Sequence, residues 1–405
     1  MLKRIKVGVL KETKNPPDKR VAITPSHALE LIKRFPNVDL VVQPSDYRCF
    51  KDSEYLNLGI NMSDHIEDCD VLIGVKEVKI PTLIANKTYI YFSHTAKKQH
   101  YNQKLLQEML KMNITMLDYE YFTDQNNVRL VAFGRWAGIV GAFNGLRGYG
   151  KRFNLYDLKP AHQGHDMVEM LEELKKVKLP PIKILISGNG RVANGALETL
   201  APLNFKMVSP EDFLTKTYTE PVICQVTPEH YVELKQGGWI SLDHFFKNPT
   251  EYKSKFVPFS KVADLFIPCH FWDEKSPVFM TADDMATDDF KISVIADVSC
   301  DIDGPIPSTI KPSTIAEPFY GYNPKTKKEA EPFDKDVITV MAVDNLPGEL
   351  PRDASSEFGN ALLDRVFPVL FGEDPTGIIE RASITKGGKL TSRYAYLQDF
   401  ADGKE

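Results

Sequence analysis

Lysine, histidine and glutamate side chains follow three successive predicted strands in the first third of the chain. Lys76 and Glu77 follow the first of these strands, His94 and Lys97 follow the second, and Glu120 follows the third. Parallel sheets with helical crossovers bind their ligands at the carboxyl ends of the strands, so we expect these five side chains at one sheet edge. Ionisable groups of both signs, whose pKa values neighbours can shift, are suited to proton transfer and to binding a charged metabolite.

Short runs of β-branched and aromatic residues predict the strands that carry these side chains. Apolar residues at helical spacing predict the helices between them, and Ser26 is predicted to cap the first helix. The basic loop that precedes this helix includes Arg20 and could hold an anion or be a solvated turn. The predicted strands of this region are residues 5–10, 38–42, 70–75, 89–92, 114–117 and 127–133, the last with Arg129, and the predicted helices are residues 26–34 and 102–112.

A glycine-rich turn follows the apolar strand predicted over residues 182–187. Gly188 and Gly190 lie two residues apart, and Ala193 takes the third position of a G-x-G-x-x-A pattern. Arg191 and Val192 open the helix that follows. Such a turn lets the backbone approach a pyrophosphate at a helix N-terminus, so the sequence predicts a nicotinamide dinucleotide site.

The acidic residue that usually holds the adenosine ribose is missing from its expected place at the end of the second strand. Ser209 stands there, and Glu211 is the nearest carboxylate. NAD is the predicted cofactor, and NADP stays open. Cys269 ends a later strand, and we predict that it packs near the cofactor. The remaining strands predicted in this region are residues 205–208, 221–226, 265–269, 292–297 and 337–343.

A run of glycines spaced three and four residues apart predicts a helix with bare backbone along one face. Another element can approach such a face closely. We therefore expect tight helix packing there, which is compatible with a bridge between two domains. The glycines are Gly134, Gly138, Gly141, Gly145 and Gly148.

Composition excludes several classes of protein. The 405 residues suggest two or three domains, and a net charge of −5 without a basic block argues against nucleic acid or an anionic membrane as partner. The five scattered cysteines argue against disulfides and zinc. His162 and His165 lack further ligands at suitable spacing, so no metal is predicted. The start has no signal-peptide core, and no apolar run is long enough to span a bilayer, so a cytoplasmic location is expected.

Three motifs, at residues 92–99, 117–120 and 129–138, resemble those of one enzyme family. They are similar to motifs of the L-lysine-forming saccharopine dehydrogenases, and in particular to the lysine-ketoglutarate reductase half of the bifunctional animal and plant enzymes. These belong to one superfamily with alanine dehydrogenase and the transhydrogenase α subunit. The resemblance runs from Lys11 to about Phe371.

The resemblance implies an α/β fold of two Rossmann-like, doubly wound parallel-sheet domains with a cleft between them. Residues 1–134 and 345–405 would form the substrate domain, and residues 135–344 would form the dinucleotide-binding domain. A helix over residues 357–370 would pack back on the first domain.

The resemblance also implies roles for individual residues. Lys76 and His94 match the acid/base pair of the family, and Arg20 matches an arginine that binds a substrate carboxylate. Asp297 and Asp301 resemble a loop near the nicotinamide, although turn capping by an aspartate is the alternative. The implied reaction interconverts saccharopine with lysine and 2-oxoglutarate. The other predicted substrate-binding residues are Glu77, Lys97, Gln99, Glu120 and Arg129.

Three other functions remain open. An alanine dehydrogenase-like enzyme would need a single carboxylate clamp, so Lys97, Gln99 and Glu120 argue against it. A nucleotide-binding relative without turnover is disfavoured because Lys76, His94 and Asp297 are all present. A transhydrogenase-like subunit would need a membrane partner on another chain. We expect a monomer or a homodimer.

Overall fold

The computed structural model describes residues 4–15 and 18–404, so Pro16 and Pro17 of the predicted basic loop lie outside the described residues. The chain divides into two compact units. The first contains the residues up to Phe133 and those from Pro351 onward, and the second is Gly134–Leu350.

The strands of the described residues form two large sheets and one hairpin. They are β1 (Ile5–Val9), β2 (Val38–Val42), β3 (Asn61–Met62), β4 (Val71–Lys76), β5 (Thr88–Phe92), β6 (Thr115–Asp118), β7 (Lys183–Ser187), β8 (Lys206–Met207), β9 (Val222–Val226), β10 (Val232–Leu234), β11 (Tyr252–Ser254), β12 (Leu265–Pro268), β13 (Val294–Ala296), β14 (Phe319–Asn323), β15 (Lys328–Ala330), β16 (Ile338–Met341), β17 (Ser383–Lys386) and β18 (Lys389–Leu390).

The α-helices alternate with these strands through most of the chain. They are α1 (Pro25–Arg34), α2 (Asp52–Leu56), α3 (Gln103–Lys111), α4 (Gly134–Arg152), α5 (Met167–Glu173), α6 (Arg191–Leu200), α7 (Pro210–Thr215), α8 (Pro228–Tyr231), α9 (Leu242–Lys247), α10 (Val257–Ser260), α11 (Ala282–Met285), α12 (Pro351–Ala361), α13 (Phe367–Phe371), α14 (Ile378–Ala382) and α15 (Gln398–Ala401).

The first unit is built on a doubly wound sheet. Its strands run in the order β3-β2-β1-β4-β5-β6, all parallel, and β17 and β18 extend the β6 edge in antiparallel orientation. The chain reverses direction across the sheet between β1 and β4, and ligands of such sheets bind at the carboxyl side of this point. The loops after β1 and β4 are therefore where a site is expected.

The second unit has a different strand order. Its parallel strands run β8-β9-β7-β12-β13-β16, followed by antiparallel β14 and β15. β9 thus lies between β7 and β8, although β8 comes first in the chain. Together the two sheets confirm the predicted α/β class with two Rossmann-like units, and the cleft stays a prediction.

Three predicted elements differ from the structure. Residues 127–133 are not a strand, because Asp124 accepts hydrogen bonds from Asn126 N and Val128 N and turns the chain, leaving one bridge between Thr123 and Arg129. The first helix begins at a proline, so its N-cap is Thr24 and the prediction of Ser26 was wrong.

The helix predicted over residues 357–370 begins earlier and is interrupted. α12 and α13 are joined by a π-helical segment, Leu362–Val366. α12 packs on the first unit, where Ser355 Oγ accepts from Val21 N at 2.9 Å and Phe358 stacks on Phe133 with ring centroids 4.4 Å apart.

The glycines of α4 allow close packing, as predicted. A Cβ on Gly138 would lie 1.8 Å from the backbone oxygen of Val192 in α6, and one on Gly195 would lie 2.0 Å from the backbone oxygen of Arg135 in α4. The two helices therefore touch backbone to backbone. None of the helices in residues 4–15 and 18–404 has the length and apolar character that crossing a bilayer requires.

Candidate active site

Lys76 ends β4, and its backbone contacts a carboxylate from the loop after β1. Glu12 accepts hydrogen bonds from Val75 N at 2.6 Å and from Lys76 N at 2.9 Å. Burial raises the pKa of Glu12 to about 8. Burial and the nearby Arg20 lower the pKa of the Lys76 ammonium. This shift favours the neutral amine of Lys76, and its acid/base role stays a prediction. Sequence reasoning missed Glu12, which fixes the strand end that carries Lys76.

Arg20 is held by a residue that the sequence analysis passed over. Its Nε and Nη2 donate to the two oxygens of Asp18 at 3.0 and 2.6 Å, and both side chains are buried. Burial would raise the pKa of Asp18, but Arg20 holds it well below its usual value. The guanidinium also lies 4.3 Å from the ring centroid of Phe133. In the structure Arg20 is paired with Asp18, and binding of a substrate carboxylate by Arg20 stays a prediction.

The buried carboxylate of Glu120 lies near three basic side chains. Its Oε1 is 2.8 Å from Lys97 Nζ and 3.7 Å from His94 Nδ1, and its Oε2 is 3.6 Å from Arg129 Nη2. Burial raises the pKa of Glu120, but Lys97 and Arg129 outweigh it and lower the pKa. Burial lowers the pKa of His94 to about 4, although Glu120 acts in the opposite direction. His94 is thus a neutral imidazole at pH 7.

The strand ends that carry His94 and Glu120 are tied together by Asp118. Its carboxylate accepts from Ser93 Oγ at 2.5 Å, from Ser93 N at 3.0 Å and from Glu120 N at 2.8 Å. His94 itself has a left-handed backbone, with φ of 53°. Asp118 stands in the motif that carried the resemblance, yet nothing in its spacing revealed this positioning role.

Two of the predicted substrate-binding residues have other partners. Glu77 Oε1 is 3.0 Å from Lys14 Nζ, so its main ion pair is not with Lys76. Gln99 is exposed and accepts a hydrogen bond from Tyr101 Oη. The structure therefore does not place Gln99 in the Glu120 group.

The predicted dinucleotide turn has one glycine in the left-handed region and another that faces open space. Gly188 has a left-handed φ of 95°, and a Cβ there would lie 2.7 Å from the backbone oxygen of Cys269. Gly190 is the N-cap residue of α6, and as a glycine it places no side chain at the start of the helix. A Cβ added there would meet nothing within 4 Å. A side chain at Gly190 would therefore enter open space beside the start of α6, where helix N-termini bind anions. Pyrophosphate binding at this turn stays a prediction.

Replacing Gly190 by valine is expected to abolish nicotinamide dinucleotide binding and to leave the fold intact, because the side chain would enter the space predicted for the pyrophosphate. Gly138→Val should instead unfold or strongly destabilise the protein, since its Cβ would overlap the backbone oxygen of Val192. Calorimetric titration with NADH and thermal unfolding separate the two results. Unchanged NADH affinity of Gly190→Val would move the site elsewhere.

The other residues predicted near the cofactor are mostly engaged within the second unit. Arg191 begins α6, and the backbone of Val192 packs on Gly138. Cys269 is buried against the turn, and burial raises the pKa of its thiol well above the usual value, which fits packing and not nucleophilic chemistry. Next to it, His270 Nδ1 lies 2.8 Å from Ser187 Oγ, so this pair helps fix the turn.

Asp297 caps the loop after β13. It accepts from Ser299 Oγ and Thr309 Oγ1, both at 2.6 Å, and from the backbone N of Ser299 and Cys300. This is the turn-capping alternative, while a nicotinamide contact by Asp297 stays a prediction. The Asp301 backbone oxygen accepts from Gly304 N at 3.1 Å in the same loop.

Ser209 lies farther from the glycine turn than the usual strand order would place it, because β9 separates β8 from β7. Its Oγ accepts from Asp212 N at 3.1 Å and caps α7. The structure thus gives Ser209 a helix-capping role, and a cofactor contact by Ser209 stays a prediction. His162 lies 3.5 Å from Glu349, and no group of three potential metal ligands occurs among the described residues.

Comparison with known proteins extends the resemblance. Residues 8–140 match the family described as Alanine dehydrogenase/PNT, N-terminal domain. The chain is 29% identical to alpha-aminoadipic semialdehyde synthase of Arabidopsis thaliana, over 96% of this chain and 41% of that protein. It is 27% identical to saccharopine dehydrogenase [NAD(+), L-lysine-forming] of Yarrowia lipolytica, over 89% of this chain and 90% of that protein. These proteins are homologues of this chain.

The resemblance to the saccharopine dehydrogenases is thereby confirmed. The chain spans less than half the length of the plant homologue and nearly the whole length of the fungal one. The solved structure of an L-alanine dehydrogenase matches with a TM-score of 0.66 at 17% identity, over 98% of this chain and 99% of that chain, which supports the fold.

Proposed function

We propose that the protein interconverts saccharopine with lysine and 2-oxoglutarate, using a nicotinamide dinucleotide. The observation that carries this proposal is the grouping of His94, Lys97 and Arg129 around Glu120, at the sheet edge that also holds Lys76. A substrate with three carboxylates and two amines needs both acid/base groups and several cations. The two homologues reported above are named alpha-aminoadipic semialdehyde synthase and saccharopine dehydrogenase.

The turn at Gly188 and Gly190, with the first turn of α6, would hold the dinucleotide, which supplies a hydride acceptor when bound. Oxidation of saccharopine then requires loss of the proton on its secondary amine. Lys76 is the candidate base, since burial and Arg20 favour its neutral form. A carbon–nitrogen double bond forms when the carbon next to this nitrogen gives up its hydride to the acceptor. Water attacks this double bond, and the adduct breaks into lysine and 2-oxoglutarate as its hydroxyl proton leaves, so that the overall reaction releases one proton.

His94 is the candidate acid/base group that takes a proton from the attacking water and gives one to the leaving amine. It is neutral above pH 4, so it can take a proton from the attacking water. The imidazolium that forms would lie 3.7 Å from the Glu120 carboxylate, which stabilises it, and can return its proton to the lysine amine as the carbon–nitrogen bond breaks. Lys97 and Arg129, each with a half-exposed side chain, are the candidate ligands of substrate carboxylates.

The second candidate is an alanine dehydrogenase-like reaction, which the fold and the lysine–histidine pair would also permit. Pyruvate has one carboxylate, so it leaves no partner for most of these cations. A monomeric or homodimeric state and a cytoplasmic location stay predictions.

The deciding assay follows NADH and NADPH oxidation with 2-oxoglutarate plus lysine, and in parallel with pyruvate plus ammonia. We expect turnover with the first pair alone. Preference for pyruvate and ammonia would overturn the proposal in favour of alanine chemistry. Absence of turnover with either pair, while a dinucleotide still binds, would favour a relative without catalysis.

A further inference from the structure

β7 lies between β12 and β9, and β9 is joined to the glycine turn by hydrogen bonds. β7 and β9 pair in register from Lys183 with Val222 to Ser187 with Val226. Beyond this pairing, Gly188 N donates to Val226 O at 2.8 Å, and Gln225 Nε2 donates to Gly188 O at 2.9 Å. The residues directly after β9 therefore lie beside the start of the predicted pyrophosphate turn.

Dinucleotide-binding sheets usually carry an acidic residue at the end of the strand beside the glycine turn, where it accepts hydrogen bonds from the adenosine ribose. That strand is normally the second in the chain. Here the neighbour is β9, which is the third parallel strand of this sheet, and its end reads Thr227-Pro228-Glu229. A carboxylate thus occurs at the position that sheet order selects, and sequence spacing alone pointed to Ser209.

We propose that Glu229 binds the adenosine ribose hydroxyls and makes the protein selective for NAD over NADP. This inference rests on the dinucleotide site of the proposed function and adds its cofactor preference. A carboxylate accepts hydrogen bonds from the 2′-hydroxyl of NAD, whereas the 2′-phosphate of NADP is an anion that the carboxylate repels.

The surroundings of Glu229 support this role. The side chain is partly buried, and its Oε2 accepts from Thr227 Oγ1, which holds the carboxylate close to the strand end. Thr227 is fixed in turn, because its backbone N donates to His230 Nδ1 at 3.1 Å. Residues 222–234 contain no lysine or arginine, so this strand end brings no cation for a 2′-phosphate.

The end of β8 offers a matched alternative on the same sheet. Ser209 is used as a helix cap there, and Glu211 is an exposed carboxylate in the first turn of α7. If β8 carried the ribose site, Glu211 would set the cofactor preference. The same change from glutamate to glutamine at Glu229 and at Glu211 therefore tests which strand end, that of β9 or that of β8, carries the ribose site.

The experiment titrates NADH and NADPH into the full chain without substrate, for wild type, Glu229→Gln and the control Glu211→Gln. We expect the wild type to bind NADH at least about 100-fold more tightly than NADPH. Glu229→Gln should reduce this ratio by about tenfold or more, the factor expected for loss of a charged hydrogen bond. Glu211→Gln should keep the wild-type ratio, and equal thermal unfolding would show that both variants fold.

Comparable wild-type affinities for NADH and NADPH would overturn the inference. So would a ratio that changes in Glu211→Gln and stays constant in Glu229→Gln. Because no substrate is present, NADH selectivity can hold even if saccharopine is not oxidised, so failure of the proposed reaction is distinguishable. Absence of binding of either nucleotide would overturn both proposals.

Discussion

Lys76→Met is expected to lower kcat for saccharopine oxidation by about 100- to 10,000-fold, the usual contribution of a general base. Lys76 ends a buried strand, and burial together with Arg20 lowers its pKa, which favours the neutral amine that a base requires. Methionine keeps an apolar stem of similar length, with sulfur in place of one methylene, and removes the amine nitrogen. The saccharopine dissociation constant should therefore change little, because the loss is confined to the chemical step.

The control for this variant is Lys79→Met, the same change at an exposed lysine three residues further along the chain. It should retain wild-type kcat. Steady-state kinetics and equilibrium binding of saccharopine give the two quantities. An unchanged kcat in Lys76→Met would remove Lys76 from the chemistry, and a loss confined to saccharopine affinity would make it a binding residue.

The pH dependence follows from the same assignment. A protonated base cannot accept a proton, so wild-type kcat/KM should fall as the pH drops below the pKa of Lys76. His94 becomes charged only near pH 4, where a further fall is expected. In Lys76→Met the upper of these two steps should disappear and the lower one should remain. A variant profile that keeps both steps would assign the upper one to another group.

Much of this site could be predicted because it follows directly from strand ends. The runs before Lys76, His94 and Glu120 are apolar, and parallel strands bring their carboxyl ends to one edge. The glycine turn could be predicted in the same way, since Gly188 and Gly190 stand between an apolar strand and a helix. In each case a local pattern and one rule of sheet geometry were sufficient.

Sequence reasoning missed contacts and pairings between segments that are distant in the chain. Glu12 reaches the backbone of Lys76 from 64 residues away, and no local pattern marks a carboxylate that accepts from another strand end. The position of β9 between β7 and β8 also depends on pairing and not on propensity. Sequence spacing pointed to Ser209, whose cofactor contact stays a prediction, whereas the strand order underlies our proposal for Glu229 at the end of β9.

Asp18 was missed for a different reason. It lies two residues before Arg20, and a charged pair in a loop rich in lysine usually stays in solvent. Here both side chains are buried, and the bidentate geometry removes the arginine from water. Around Glu120, by contrast, Lys97 and Arg129 have more exposed side chains than His94, at 47% and 46% against 23%.

Lys97→Met and Arg129→Met are each expected to weaken saccharopine or 2-oxoglutarate binding about ten- to a hundredfold. Each side chain is nearly half exposed while one end lies against Glu120, so a substrate carboxylate can approach the outer face. A hydrogen bond between charged partners contributes about 1.5 to 3 kcal/mol, which corresponds to factors of that size. NADH affinity should hardly change, because the dinucleotide turn belongs to the other unit.

A second readout separates a lost carboxylate contact from a disturbed site. Lys97 lowers the pKa of His94, so Lys97→Met should raise the pKa of that imidazole, which NMR titration measures. Lys104→Met, at an exposed position of α3, is the matched control and should leave substrate affinity and the His94 pKa unchanged. If substrate affinity is unaltered in Lys97→Met although the pKa of His94 has risen, then Lys97 tunes the histidine and does not bind a carboxylate. A saccharopine site would then need its cations elsewhere.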